Sequence, residues 1–213
     1  MRQIVKEREP RSLTEHRAAA HATYENYADK DGLREALLRD QGGLCCYCMS
    51  RIDAGRMKIE HWAAQDTHPE QQIEYQNLLG ACPGGQGQPR AQQHCDTRKG
   101  NEGLSIHPAD PLRSCERFIT YRADGTIGAE LPEVWRDVEE VLNLNVRRLK
   151  ENRKQVLETA LKEIVRRAGG EWKRDALERE LLRWRERDAA GMFREYCQVV
   201  VYWLEKRLAR ASR

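Results

Sequence analysis

Aromatic residues are scarce, at 7% of 213 positions with only two phenylalanines, so whatever core forms here is mostly aliphatic. Long apolar runs are missing as well. The longest reaches only from Val199 to Leu204, whereas a membrane-spanning helix needs about 20 such residues. The opening Met1-Arg2-Gln3-Ile4-Val5-Lys6-Glu7 lacks the apolar stretch of a secretory leader, and a cytoplasmic (bacterial) protein with no membrane partner is expected. No repeat of solenoid period is visible. Charge of one sign is not dominant either: 37 Lys and Arg face 34 Asp and Glu, a net of +3 that predicts no partner by itself. The small basic excess lies in residues 131–213, with 20 basic against 15 acidic side chains, while residues 1–130 hold 17 against 19. A basic helical face is compatible with phosphate binding, and equally with an ordinary solvated surface.

What the chain does have is cysteine. Seven is an odd number, and in a reducing compartment clustered thiols point to metal before disulfide. The pattern predicts a mixed α+β fold, mainly helical, in three parts. Residues 1–43 are a helical lead-in: Ser12-Leu13-Thr14-Glu15 has the form of a capping box opening a helix to about Tyr24. Leu33, Leu37 and Leu38 share a face of a second helix, which Gly42-Gly43 ends. Residues 44–130 are short of helical periodicity, with a polar loop over Gly84 to Gln93 and a hairpin over Arg117–Arg122 and Thr126-Ile127 around Asp124-Gly125. Residues 131–213 turn helical: one pattern from Pro132 to Gly169-Gly170, a second over Trp172 to Trp184, a third over Met192 to Leu208. This apolar helical part is larger than a small catalytic core needs and is the expected partner-docking surface.

Cys45 and Cys48 form a C-x-x-C that can meet one ion across a tight turn. Cys82 and Cys95 supply a second pair if the polar loop between them bulges out. Four thiolates suit tetrahedral Zn²⁺ with no open position, hence a structural role. Cys46 in place of Cys45, or His94 in place of Cys95, is an alternative ligand. Cys115 and Cys197 read as buried free thiols, and His68 and His107 as loop residues. Between the cysteine pairs stands Glu60-His61. An imidazole near neutral pH is a natural general base, whereas Glu60 and Asp96 offer hard oxygens that suit Mg²⁺ or Mn²⁺.

The order C-x-x-C, Glu60-His61, Asn77-Leu78-Leu79, Cys82, Cys95-Asp96-x-x-Lys99-Gly100 resembles the HNH endonuclease motif, over residues 37–101. The lead-in from Leu37 to Cys48, and Leu142-Asn143-Leu144-Asn145 followed by Leu149 and Arg153, are similar to the PtuB-like nucleases of Septu-type and retron-linked anti-phage systems. The resemblance implies a zinc-stabilised ββα-metal core flanked by N-terminal and C-terminal helices. It implies a metal-dependent endonuclease cutting nucleic acid, DNA first, as the effector of an ABC- or SMC-like ATPase (PtuA-like). A retron reverse transcriptase with its nucleic acid is a further implied partner. In that reading His61 is the base, Glu60 and Asp96 hold the catalytic ion, Asn77 pins the loop that aims the base, and Lys99 touches phosphate. Glu60 stands where family members often have Asp, and Asp96 where they have Asn or His. Two competing readings are an RNA (tRNA) nuclease of the same fold and a non-catalytic zinc-stabilised module binding nucleic acid or the ATPase. No base-reading motif separates DNA from RNA.

Overall fold

The computed structural model describes residues 1–169 and 172–211. It is α+β, about 45% helix with two small antiparallel sheets. In chain order the elements are α1 (Arg11–Arg17), α2 (Lys30–Gln41), β1 (Lys58–His61), β2 (Leu78–Ala81), α3 (Cys95–Lys99), β3 (Ile119–Tyr121), β4 (Ile127–Ala129), α4 (Pro132–Arg136), α5 (Arg147–Arg167), α6 (Arg174–Arg185) and α7 (Cys197–Ala211). A π-helical turn, Asp137–Val141, extends α4. Among the described residues no helix is long and apolar enough to cross a membrane.

One continuous core joins all three parts of the sequence. Leu13, Leu33 and Leu37 from the first, Leu78 and Ile119 from the second, and Val138, Leu149 and Val200 from the third belong to the same buried cluster. The lead-in reaches into it: Met1 is fully buried, its ammonium donates to Tyr121 Oη at 2.5 Å, and Ile4 N donates to Pro108 O. Helix α2 shows how local signals and packing agree. Asp29 caps its start by accepting from Gly32 N, and Gly42 closes its end at φ 56°. The face between them seats Leu33 and Leu37 with no exposure, each worth roughly 1.5–3 kcal/mol of burial. Strand β1 then pairs β2 with Glu60 opposite Leu79 and His61 opposite Leu78.

Several boundaries depart from the sequence reading. Helix α1 stops at Arg17, short of Tyr24, because only Leu13 on it is buried and the alanines beyond have no apolar face to seat. Ser12 does not cap it; Pro10 holds that position, and the Ser12 hydroxyl instead binds Tyr27 and Asp29. The helical pattern from Pro132 is broken at 142–146, where Asn143 takes φ 46°. Helix α5 ends at Arg167, and of the expected stop at Gly169-Gly170 the second glycine lies outside the described residues. Helix α7 begins at Cys197 rather than Met192, since Phe193 N and Tyr196 N donate to Gly42 O and Met49 O instead of to a helix. The hairpin forms as β3–β4, paired Ile119 to Ala129.

The turn of that hairpin sits against α5. Gly125 has φ 82°, and a Cβ there would fall 2.0 Å from Lys150 O. Gly125→Ala therefore combines a left-handed strain with a backbone clash and is expected to cost about 2 kcal/mol or more. A thermal melt should show a fall of roughly 5 °C.

Candidate functional site

Two clusters are built around the β1–β2 pair and the start of α3. The first is the thiol frame. Cys45, Cys48, Cys82 and Cys95 are all buried and their sulfurs all lie within 4.8 Å of one another; they can hold a metal ion such as zinc. The Cys45–Cys95 and Cys48–Cys82 sulfur separations are 3.9 and 3.7 Å. Four sulfurs about 2.3 Å from a tetrahedral centre stand about 3.8 Å apart, so the frame already has the required dimensions. Among the described residues it is the one group of three or more His, Cys, Asp or Glu ligand atoms so gathered.

The chain builds this frame with turns rather than apolar packing. Cys45 N donates to Ser50 O, Met49 N to Cys45 O, and Leu44 bridges Arg51, closing the C-x-x-C hairpin. Met49 at φ 65° and Cys95 at φ 53° are both left-handed without being glycine, a conformation that persists only where surroundings impose it. Cys95 N is anchored to Leu142 O. The two alternative ligands stand outside the frame. Cys46 is buried but contributes no sulfur to it. His94 lies beside it: Arg148 donates to Nε2 at 2.8 Å, which leaves Nδ1–H to donate to Cys95 Sγ at 3.1 Å. Cys115 and Cys197 are free buried thiols away from the frame.

The second cluster gathers Glu60, Asp96 and Lys99. Neighbouring residues on a strand face opposite ways, so Glu60 and His61 part company. Glu60, 2% exposed, accepts from Tyr47 Oη at 2.7 Å and pairs with Lys99 Nζ at 2.9 Å. It also shares a hydrogen bond with Asp96, which Lys58 Nζ meets at 2.7 Å. Burial and the Asp96 contact push the Glu60 carboxyl up to about 8, against the pull of Lys99 and Tyr47. Burial would also raise Asp96, but hydrogen bonds to Glu60 and Lys58 outweigh it and hold Asp96 below its ordinary value. The two carboxyls thus hold one proton between them near neutral pH.

Lys99 corrects the sequence reading. Its ammonium is buried and engaged by Glu60 and the His61 carbonyl at 3.0 Å, so it is not presented to a phosphate; it locks the carboxylate. His61 faces the other way. Its Nε2 bonds Gln72 O at 2.9 Å, which fixes the proton there and leaves Nδ1 as the basic lone pair, now accepting from Gln65 Nε2 at 3.1 Å. Tyr24 meets the ring edge-on at 4.5 Å, and burial lowers its pKa, keeping the imidazole neutral near pH 7. Asn77 stands behind it. Its amide accepts from Ala63 N and donates to Ala63 O and Gln71 O, tying together the loop that follows His61. His107 packs against Trp62, the ring centroids 4.6 Å apart and the planes tilted by 50°, and reaches neither cluster, whereas His68 is exposed.

Sequence reasoning passed over Tyr47, Lys58, Gln65 and Gln72. Only Lys58 carried a signal: two residues before Glu60 on one strand, it shares Glu60's face.

Two substitutions test the clusters. Cys48→Ser should lower the metal content of purified protein, read by elemental analysis, together with its melting temperature, because binding of a structural metal is folding free energy. Lys99→Met strands Glu60 in the interior, where removal of one buried partner costs about 3–5 kcal/mol. A raised carboxyl pKa favours the fold at low pH and loses that contribution as pH climbs through about 8. Urea denaturation should therefore show a larger penalty for Lys99→Met at pH 9 than at pH 6, where Glu60 takes up a proton. Comparison with known proteins adds no name to this geometry: no family model matches the sequence, and no curated protein gives a significant match.

Proposed function

We propose that this protein is a metal-dependent endonuclease of the HNH type, with DNA as its substrate. The observation that carries the reading is His61: neutral by burial and oriented through Nε2 by the Gln72 carbonyl, it offers Nδ1 on the rim of a strand whose next residue back is a buried carboxylate. Phosphodiester hydrolysis needs a base for the attacking water, and an imidazole held in one tautomer supplies it. Gln65 holds that lone pair in the resting arrangement. Gln65 is exposed, and water takes its place when its side chain swings out. Asn77 acts at a distance, by fixing the loop over which His61 works.

The donor chemistry of Glu60 and Asp96 suits Mg²⁺ or Mn²⁺, because two hard carboxylates converge. Lys58 and Lys99 now supply the positive charge there, and access runs through Asp96, whose side chain is 20% exposed against 2% for Glu60. When bound, such an ion would polarise the scissile phosphate and stabilise the departing oxygen. Because β1 turns Glu60 and His61 to opposite faces, ion and base would meet one phosphate only past the end of the strand, where His61 is the last residue. Zinc in the thiol frame has a structural part only, since four sulfurs leave no open position. The resemblance to PtuB-like nucleases supports a place as effector of an ATPase-coupled anti-phage system, with the ATPase docking on the C-terminal helices.

Plasmid DNA and total RNA, incubated with Mg²⁺ or Mn²⁺ with and without the ATPase, provide the test. Wild type is expected to cut DNA, with His61→Ala slower by about 10²–10⁴. Equal cleavage by both proteins would remove His61 from the chemistry, and cleavage of RNA alone would replace the substrate. At saturating cation the rate should be level around neutral pH and fall on the acid side as His61, held below its ordinary value by burial, protonates. The half-saturating cation concentration should drop as pH rises toward about 8, where Glu60 gives up its proton.

A further inference from the structure

Arg153 is the largest of the fully buried side chains, with no exposure. Its Nε donates to Gly125 O at 2.6 Å and its Nη2 to Leu144 O at 2.8 Å, while Nη1 has no hydrogen-bond partner. Among the described residues no carboxylate pairs with it. An arginine does not shed its proton to escape burial as lysine does. A buried cation without a counter-charge is a severe cost, so an anion has to lie within range. The groups able to carry negative charge that bear on Arg153 are the phenols of Tyr121 and Tyr196 and the thiols of Cys48 and Cys95, while the buried Met1 ammonium adds a second positive charge nearby. Burial drives both phenols up, which keeps them neutral. Two of the four frame cysteines remain.

With a divalent ion, four thiolates carry a net charge of about −2. That is the missing anion. The segment from Leu142 to Arg153 surrounds it in other ways too. Leu142 O receives Cys95 N, and Asn143 Nδ2 holds Ala91 O and Gln93 O just ahead of His94. Arg148 fixes the tautomer through which His94 donates to Cys95 Sγ. We propose that the Leu142–Arg153 segment is the electrostatic socket of the metal centre, with the buried Arg153 guanidinium as the counter-charge of a doubly negative tetrathiolate. Arg153 touches no sulfur; it is a positioning residue, and the inference rests on the thiol frame holding a metal.

The test uses the full chain. Zinc content is measured first, then the rate at which zinc passes to a chromogenic chelator, for wild type, Arg153→Met, Arg153→Lys and Leu157→Ala. Leu157 is buried on the same helix and carries no charge, so its variant reports loosening of α5 alone. Loss of a supporting group beyond the ligands typically weakens metal binding 10–100-fold. Arg153→Met should therefore release zinc about 10–100 times faster than wild type. Arg153→Lys loses the fork but keeps the charge, because a doubly negative centre beside it would hold the ammonium's proton, and it should stay within a few-fold, as should Leu157→Ala. The proposal is overturned if Arg153→Met releases zinc at the wild-type rate, if Leu157→Ala is as fast as Arg153→Met, or if Arg153→Lys is as fast as Arg153→Met, which would make the fork and not the charge the working part. Should Arg153→Met fail to fold, Arg153→Lys decides alone: slow release supports the counter-charge and fast release overturns it. Wild type purified without any metal would overturn the metal reading itself, and this inference with it.

Discussion

Everything in the middle of this chain hangs on four sulfur atoms. Residues 44–100 form only short elements; they lend Leu44, Tyr47, Leu78 and Leu79 to the shared core, and the four thiols gather their ends. The thiol frame joins the C-x-x-C turn, the end of β2 and the start of α3 at a single point. Once that point is fixed, α3 carries Asp96 and Lys99 up to Glu60 on β1, and the carboxylate pair follows. A tetrahedral ion held by these four sulfurs would add cohesion to that of the core, since binding of a structural metal is folding free energy. The functional groups stand on short elements whose positions derive from the cysteines.

The polar groups divide the work by face. Glu60 and His61, adjacent in sequence, are turned apart by the strand. One looks toward buried carboxyl and ammonium groups, the other toward a loop edge with a backbone carbonyl and an aromatic ring. Burial acts on both in the direction of the neutral form: it lowers the imidazole and raises the carboxyl. Lys58 and Lys99 supply the positive charge that keeps the two acidic groups side by side.

Much of this was legible in the sequence where one residue type dictates its own surroundings. That a C-x-x-C and a second pair near Cys82 and Cys95 would meet could be read from spacing, and so could the apolar face of α2 with its stop at Gly42, and the hairpin around Asp124-Gly125. Long-range partners could not. Lys99 sits one turn past Asp96 and looks like a surface cation; that its ammonium is buried depends on β1 lying beneath α3, which no local pattern states. Tyr47 between two cysteines and Gln72 in a polar loop carry no mark of their contacts with Glu60 and His61. The choice among Cys45, Cys46, His94 and Cys95 could not be made from spacing either, since all four lie within reach on paper and only the backbone turns at Met49 and Cys95 decide. Helix ends failed where the helix had nothing to bury, as in α1, or where its backbone found a better partner, as before α7.

That last contact ties two distant parts together. Phe193 N and Tyr196 N hold Gly42 O and Met49 O, so the strand-like approach to α7 is stitched to both flanks of the C-x-x-C turn. Glu195 adds a side-chain bond to Arg51 N. The approach to the last helix is thus held on both sides of Cys45 and Cys48, so α7 and the thiol frame share a backbone anchorage although about 150 residues separate them in sequence.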